Sequence, residues 1–176
     1  QASPRVGMRV VDDAGNDLPL GEVGEILLTS PGVMKGYWNN SAASIDTLRD
    51  GWVHTGDVGR LDHEGFLYLV DRKKDMIISG GENIYSREVE EAVVQHEAVS
   101  EVAVIGVPDK TWGEAVMAVV VLKSGASVTE DDLIAFCRTQ IASYKKPRDI
   151  VFVDRIEKLP SGKIDKVQLR KLYGQG

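Results

Sequence analysis

Two short segments carry residues that could bind a phosphate. Pro160-Ser-Gly-Lys-Ile164 places Lys163 on a turn of small residues, where glycine permits close approach and the ammonium is a mobile point charge. The segment is not a P-loop, because the first glycine and the Ser or Thr after the lysine are absent. Ser143-Tyr-Lys-Lys-Pro-Arg148 combines one aromatic ring with three cations, which favours a phosphate-bearing ligand with a stackable ring.

A carboxylate follows a glycine in the segment Thr55-Gly-Asp57. In a tight turn, the two oxygens of Asp57 would be spaced to bind a vicinal diol such as the ribose hydroxyls. An Asp after glycine also commonly caps its own backbone, so the residues alone leave both interpretations open. His54 has no second ligand at metal-binding spacing, and Cys137 lies in an apolar helical pattern. We therefore interpret both as structural residues.

A row of five charged residues, Asp71–Asp75, separates two apolar runs at Phe66–Val70 and Met76–Ile78. Such a row must be solvated or directed at a ligand. The pair Gly80-Gly81 follows, and then a helix that we expect to begin at Ser86 with an acidic first turn. The arrangement predicts a hinge beside a ligand passage.

The composition of the 176 residues, with 43% apolar residues and six prolines, is that of a folded protein. No apolar run approaches the roughly 18 residues of a membrane span and no signal peptide is evident, so we expect a cytoplasmic protein. The net charge is −6, yet residues 138–176 carry ten Lys and Arg against four Asp and Glu, which leaves −12 for residues 1–137. Overall acidity argues against nucleic acid and membrane surfaces as partners. A phosphorylated small molecule or a solvated charged face remains.

The predicted elements form an α+β fold. Residues 1–71 read as an all-β segment with one or two helical turns at Ala42–Leu48, and the aromatic pair Tyr37-Trp38 is expected to pack. This segment is too small to bury much core alone, so we interpret it as part of a larger domain. Residues 76–176 predict a compact domain: a three-stranded sheet with helices, plus a β-hairpin at the hinge. Its predicted strands and helices are Val99–Val107, Ala115–Leu122, Ile150–Val153, Ser86–His96, Thr129–Ile141 and a short helix near Asp165.

Six ordered segments together resemble the carboxyl-terminal third of the adenylate-forming (AMP-binding) enzymes, specifically the acyl-CoA synthetases such as fatty-acid–CoA ligases. The segments are Gly24-Glu-Ile26, Gly36-Tyr-Trp38, Thr55-Gly-Asp57, residues 71–84 (DRKKDMIISGGENI), Glu88-Val-Glu90 and Pro160-Ser-Gly-Lys163. The resemblance implies an acid–thiol ligase that joins a carboxylate to ATP, releases pyrophosphate, and passes the acyl group to CoA with release of AMP. It implies ATP, CoA and Mg²⁺ as cofactors, with Mg²⁺ bound mainly by residues upstream of this chain.

The resemblance also implies roles for individual residues. Asp57 and Arg72 would bind the ribose hydroxyls, Asn83 would contact the nucleotide, and Lys74 would be the hinge. Lys163 would bridge the α-phosphate and the carboxylate, as a preorganised cation for charge that develops during adenylation. Residues 1–71 would end the large N-terminal domain, residues 72–75 would form the hinge, and residues 76–176 would form a mobile lid.

The implied CoA-binding residues line two places. Gly80 and Gly81 would lie along the pantetheine passage, and four residues would meet the nucleotide end of CoA: Trp112, Tyr144, Lys146 and Arg148. Packing of Trp112 under the turn at Pro108 is the alternative for that residue. No metal site is implied within the chain.

Other functions remain open. A carrier-protein-loading adenylation domain or a luciferase-like enzyme would belong to the same superfamily, although Ile77–Ile84 looks more like the CoA ligases. A non-catalytic interaction domain would have no reason to keep the ribose, hinge and lysine positions together. The family's phosphate loop, adenine-binding segment and acyl pocket are expected upstream. We therefore expect no adenylation by the chain alone, and its sequence does not reveal the acyl substrate.

Overall fold

The computed structural model describes residues 5–174. The chain divides into two compact units, Gln1–Lys74 and Asp75–Gly176. We call them the first unit and the second unit and describe each by itself.

The first unit is an antiparallel sheet with one short helix. Its strands are paired in the order β1-β2-β4-β3, with β5 on β4. The elements are β1 (Gly7–Val11), β2 (Gly24–Thr29), α1 (Ser41–Thr47), β3 (Leu48–Arg49), β4 (Trp52–Leu61) and β5 (Leu67–Arg72). Helix α1 lies where one or two helical turns were expected, and the Asn40 side chain caps it by accepting from the Ala43 N–H at 3.1 Å.

The aromatic pair of the first unit does not pack as we expected. Trp38 is 93% exposed and Tyr37 is 49% exposed. The buried apolar residues instead come from the strands: Val10, Val11, Ile26, Leu27 and Val58. The alternation of strand side chains supplies this small core, whereas the loop that carries the aromatics has no regular face to bury them.

The second unit combines a sheet with three helices. Its elements are a 3₁₀ helix at Lys73–Asp75 that starts within the first unit, β6 (Ile77–Ser79), β7 (Glu82–Ile84), α2 (Ser86–Val93), β8 (Val99–Asp109), β9 (Gly113–Leu122), α3 (Glu130–Gln140), β10 (Asp149–Phe152) and α4 (Lys166–Tyr173). Strand β9 pairs antiparallel with β8 and parallel with β10. The hairpin β6–β7 joins the same sheet through one residue pair, Ser79 and Gly113. The predicted three-stranded sheet with a hairpin is therefore one five-stranded sheet.

Both faces of this sheet are covered, and the sequence of β8 shows why. Successive residues point to opposite faces, so Val102 and Val104 belong to one apolar cluster while Ala103 and Ile105 belong to the other. Helices α2 and α3 complete the first cluster, and α4 completes the second through Leu169. Near-continuous apolar runs are what strands buried on two faces require.

The helix termini follow local rules with one exception. Thr129 caps α3: its hydroxyl accepts from the Asp132 N–H at 3.2 Å and donates to the Asp132 carboxylate at 2.6 Å. Asp165 caps α4 by accepting from the Gln168 N–H at 2.9 Å. Ser86, in contrast, does not cap α2. Its side chain is fully buried, and its hydroxyl accepts a hydrogen bond from Lys166 at 2.7 Å.

The buried thiol of Cys137 gives a direct test of this core. Burial raises the pKa of Cys137 to about 11, well above that of an ordinary cysteine. Because the thiolate is the reactive form, we expect native Cys137 to react with a disulfide reagent at pH 8 on the order of 100-fold more slowly than a free thiol. Mass spectrometry of the labelled peptide checks this rate. Labelling in urea should restore the ordinary rate, and fast labelling of the native protein would place Cys137 outside the core.

Candidate functional site

The predicted ribose-binding residues face each other across two strands of the first unit. Asp57 on β4 is the register partner of Arg72 on β5. The Arg72 Nε donates to the Asp57 carboxylate at 3.0 Å, and both side chains remain partly exposed. The pair can therefore still offer carboxylate oxygens and guanidinium N–H groups to a ligand.

The Thr55-Gly-Asp57 segment is not the tight turn that we predicted. It lies within β4, at a bulge where the pairing with β2 shifts register, and Gly56 adopts a positive φ of 68° there. The Thr55 hydroxyl donates to the Ile26 carbonyl at 2.7 Å and accepts from the Asp57 N–H at 3.0 Å. The bulge thus fixes the backbone that carries Asp57.

A cleft lies beside this pair in the first unit. Its volume is about 390 Å³, and the residues that line it are Thr55, Gly56, Arg72, Lys73 and Lys74. Three of the five carry a positive charge, and two of these three, Arg72 and Lys73, are ion-paired with carboxylates.

A charged network holds Lys73 within the first unit. Its ammonium lies 2.8 Å from the Asp13 carboxylate and 3.1 Å from that of Glu25, which is only 9% exposed. Burial raises the pKa of Glu25, but the hydrogen bond and charge of Lys73, together with nearby His54, lower it below its ordinary value on balance. The His54 Nδ1 lies 3.5 Å from the other Glu25 oxygen, which is consistent with the structural role predicted for this histidine.

In the second unit, the two predicted glycines form the turn of the β6–β7 hairpin. Gly80 and Gly81 have positive φ values of 62° and 85°, as a two-residue hairpin turn of this kind requires. The indole of Trp112 lies against Gly80, so a Cβ atom at Gly80 would come within 2.6 Å of the ring. The Gly80 N–H also donates to the Trp112 carbonyl at 2.8 Å. Trp112 therefore packs on the hairpin turn while its side chain stays partly exposed.

The same indole meets a cationic segment. The Arg148 guanidinium lies 4.9 Å from the centre of the Trp112 ring and 4.0 Å from the Asp109 carboxylate. Burial lowers the pKa of Lys146, and the positive charges of Arg138 and Arg148 lower it further. Burial is the larger cause, and the two neighbouring cations add to it.

Tyr144 is exposed next to the Lys145 ammonium, which lies 5.6 Å from its ring centre. Lys145 itself is bonded to the Glu88 carboxylate at 2.7 Å and 2.8 Å. Burial alone would lower the pKa of Lys145, but Glu88 raises it above its ordinary value. Among the cations of this segment, Lys145 is thus a structural link to Glu88.

Lys163 ends a tight hairpin-like turn. The Gly162 N–H donates to the Leu159 carbonyl at 2.8 Å, and the Leu159 N–H donates to the Lys163 carbonyl at 2.8 Å. Gly162 has a positive φ of 82°, the conformation of the last residue in a three-residue turn with a bulge. Within residues 5–174 the exposed Lys163 ammonium has no hydrogen-bonding or ionic partner. It is therefore positioned by its backbone alone.

Some of the predicted site residues lie next to one another within a unit. Asp57 and Arg72 form a pair in the first unit. Gly80, Trp112 and Arg148 form a contiguous group in the second unit, and Asn83 is exposed on β7 of the adjoining hairpin. Sequence reasoning missed the ion pairs that support these residues, because their partners lie far apart in the chain: Lys73–Glu25, Lys145–Glu88, Lys166–Glu90 and Asp75–Arg170.

Two further properties concern metals and membranes. Across residues 5–174, no group of three or more His, Cys, Asp or Glu side chains is placed to hold a metal ion. None of the helices in this range has the length and apolarity needed to cross a membrane.

Comparison with known proteins places these features in a family. Family models match residues 1–38 (AMP-binding enzyme) and residues 88–163 (AMP-binding enzyme C-terminal domain). A feruloyl-CoA synthase of an Amycolatopsis species is 48% identical over 167 residues, which are 95% of this chain and 34% of that protein. A long-chain-fatty-acid–CoA ligase of Escherichia coli O6:H1 is 45% identical over 167 residues, 95% of this chain and 30% of that protein. ATP-bound MatB from Rhodopseudomonas palustris has a TM-score of 0.92 at 38% identity, over 99% of this chain and 35% of that one.

The chain therefore belongs to the family of AMP-binding, adenylate-forming enzymes, and it corresponds to the C-terminal part of its acyl-CoA ligase members. It spans about a third of the length of the curated relatives that it matches. The resemblance drawn from six segments and the α+β fold are both confirmed.

Proposed function

We propose that this chain is the C-terminal part of an ATP-dependent acyl-CoA synthetase. In this proposal the enzyme joins a carboxylate to ATP, forms an acyl-adenylate and pyrophosphate, and then transfers the acyl group to CoA. Residues 1–71 end the large domain, residues 72–75 are the hinge, and residues 76–176 are a lid that swings about Lys74 between the two reactions. The division of the chain between Lys74 and Asp75 supports this arrangement.

The observation that carries the proposal is the separation of two kinds of site. The first unit presents the Asp57–Arg72 pair at a cationic cleft, which suits the ribose and phosphates of a nucleotide. The second unit presents two different features, the Lys163 turn and the Gly80–Trp112–Arg148 group. One ammonium without a partner suits adenylation, and an aromatic ring with nearby cations suits the nucleotide end of CoA.

The residues fit ATP and CoA in charge and shape. Lys163 would face the α-phosphate, and Arg72 would join Asp57 in binding the ribose hydroxyls. Asn83 would contact the nucleotide, and the Gly80-Gly81 turn would let pantetheine pass close to the backbone. Tyr144 and Lys146 would complete the CoA contacts. Mg²⁺ would accompany ATP and be held mainly by residues outside this chain.

The acyl substrate is not set by these residues. A feruloyl-CoA synthase and a long-chain-fatty-acid–CoA ligase match this chain at 48% and 45% identity, so the segment is shared by relatives named for very different acids. We therefore propose only a carboxylic acid as the substrate class.

The test is a coupled assay of the complete protein with ATP, Mg²⁺, CoA and a panel of acids that includes ferulate and palmitate. We expect acid-dependent release of pyrophosphate and an acyl-CoA product for at least one acid. A carrier-loading enzyme would release pyrophosphate but acylate a carrier protein instead of CoA, and a luciferase-like enzyme would emit light with oxygen. A non-catalytic interaction domain would release no pyrophosphate with any acid, and that result would contradict the proposal.

Replacement of the ribose-binding carboxylate should weaken ATP binding. We expect Asp57→Asn to raise the KM for ATP about tenfold, because Asn presents one acceptor oxygen instead of two and loses the charge-assisted bond. Asp57 is partly exposed, so the thermal midpoint should change little. Steady-state kinetics with varied ATP measures the effect, and Asp46→Asn, on exposed helix α1, is the matched control. An unchanged KM would remove Asp57 from the nucleotide site.

A further inference from the structure

The two residues that flank Lys74 are each bonded into a different unit. Lys73 is held in the first unit by Asp13 at 2.8 Å and by Glu25 at 3.1 Å. Asp75 is held in the second unit, where its carboxylate lies 2.9 Å from the Arg170 guanidinium. Glu25 and Asp75 are only 9% and 8% exposed, so each is a buried carboxylate with a cationic partner.

Removal of the cation from either pair would leave a mostly buried carboxylate without its compensating charge, which is strongly unfavourable. We therefore expect Lys73 to stay with the first unit and Asp75 to stay with the second unit during any motion. The backbone dihedrals around Lys74 are then the ones left to absorb a rotation, as expected for a hinge of very few residues.

The pair on the second unit is also connected to the Lys163 turn. Arg170 lies on α4, which begins at Lys166, three residues after Lys163. Lys166 donates to the Ser86 hydroxyl and is ion-paired with Glu90, each at 2.7 Å. Lys166 and Arg170 are four residues apart and so lie on one face of the helix. Helix α4 is thus bonded to α2 at its first residue, Lys166, and to Asp75 one turn later, at Arg170.

We propose that Glu25, Asp75 and Arg170 are positioning residues of the ligase reaction. The Lys73–Glu25 and Asp75–Arg170 ion pairs confine the rotation to Lys74, and the second pair sets the distance from the hinge to Lys163 through α4. The inference rests on the proposed function. Under this proposal, the alignment of Lys163 depends on three residues that lie outside the proposed substrate-binding residues.

The first test separates the two half-reactions in the complete protein. Asp75→Asn should lower the kcat of adenylation about tenfold, because a displaced Lys163 loses its alignment with the reacting groups. Thioester formation from supplied acyl-adenylate does not use Lys163 and should stay within about twofold of wild type. Arg170→Lys keeps a cation opposite Asp75 and should leave the kcat of adenylation within about threefold of wild type. Equal losses in both half-reactions, or no loss in either, would overturn the inference.

The second test measures the hinge itself and includes the first-unit anchor. Spin labels are attached at Asp46→Cys and Ala135→Cys, which are exposed positions of α1 and α3. Double electron–electron resonance, a pulsed electron paramagnetic resonance method, then measures the distance between the labels. With ATP or CoA bound, we expect a narrow distance distribution in the wild type and a broader one in Glu25→Gln and in Asp75→Asn. Lys171→Ala, which removes an exposed charge from α4, should leave the distribution narrow. Unchanged widths in both anchor variants would overturn the inference.

Failure of the inference differs from failure of the proposed function. If Lys163→Ala impairs adenylation selectively and Asp75→Asn behaves as wild type, only the positioning role is wrong. If Lys163→Ala has no selective effect, the proposed function fails and the positioning role fails with it. If Asp75→Asn does not fold, the width of the distance distribution in Glu25→Gln still decides, since this variant keeps the Asp75 carboxylate.

Discussion

Lys163→Ala should lower the rate of adenylation by about 10²–10³-fold while the complete protein still converts supplied acyl-adenylate to acyl-CoA. In the proposed mechanism, the Lys163 ammonium would be the preorganised charge that meets the developing negative charge on the α-phosphate and the entering carboxylate. The proposed second half-reaction would expel AMP under attack by a thiol and would not need that charge. Pyrophosphate release measures the first step, and thioester formation from synthetic acyl-adenylate measures the second.

The surroundings of Lys163 allow its charge to be removed with little effect on the stability of the protein. Its ammonium has no partner among residues 5–174, so its removal leaves no buried charge uncompensated and should change the unfolding midpoint little. Lys171→Ala removes one positive charge from the same basic segment and serves as the control. Equal impairment of both half-reactions in Lys163→Ala would contradict the role, as would a wild-type rate of adenylation.

Gly80→Ala should impair thioester formation far more than Gly81→Ala does. Both glycines have positive φ, so an alanine at either position adds about 1–2 kcal/mol of backbone strain. Only at Gly80 does the new Cβ meet the indole of Trp112, at 2.6 Å, whereas at Gly81 it meets nothing within 4 Å. The indole must therefore move in Gly80→Ala, and its contact with Arg148 must change with it.

We expect Gly80→Ala to lower kcat/KM for CoA by about 10–100-fold, the range for loss of one ring-stacking contact with a nucleobase. Adenylation should stay within about threefold in both variants, because the proposed mechanism gives neither residue a contact with the groups that react in that step. Urea unfolding measures the loss of stability from backbone strain, which is common to the two variants. A difference between the variants in CoA kinetics can then be attributed to the contact with Trp112. Equal effects of Gly80→Ala and Gly81→Ala on CoA kinetics would show that Trp112 does not shape the CoA passage.

Local sequence patterns predicted most of the second unit correctly. The apolar runs of β8 and β9, the Thr129 cap of α3 and the start of α4 after Asp165 lie where the patterns placed them. Each of these depends on side-chain alternation, a cap or a turn residue, all of which act within a few residues. The positive φ of Gly162 is likewise a local property, because it belongs to the tight turn that ends at Lys163.

The first unit was predicted less well, and the reason is specific. Thr55-Gly-Asp57 reads as a turn because Gly and Asp favour turns, yet β2 and β5 pair with β4 on either side and hold the segment in a strand with a bulge. Trp38 was expected to pack because indole rings usually do, yet within the described residues its ring is almost fully exposed. In both cases contacts from elsewhere in the fold outweigh local preference.

The sequence by itself determined the family, the α+β class and the identity of the residues that could do chemistry. It could do so because ordered short motifs, periodicity and turn residues are properties of neighbouring positions. Only the tertiary structure decided that Asp57 meets Arg72, that Trp112 lies on Gly80 and that Asp75 is bonded to Arg170. These contacts join residues separated by 15 to 95 positions, and no local pattern specifies which distant partner a charge or ring will reach once the chain has folded.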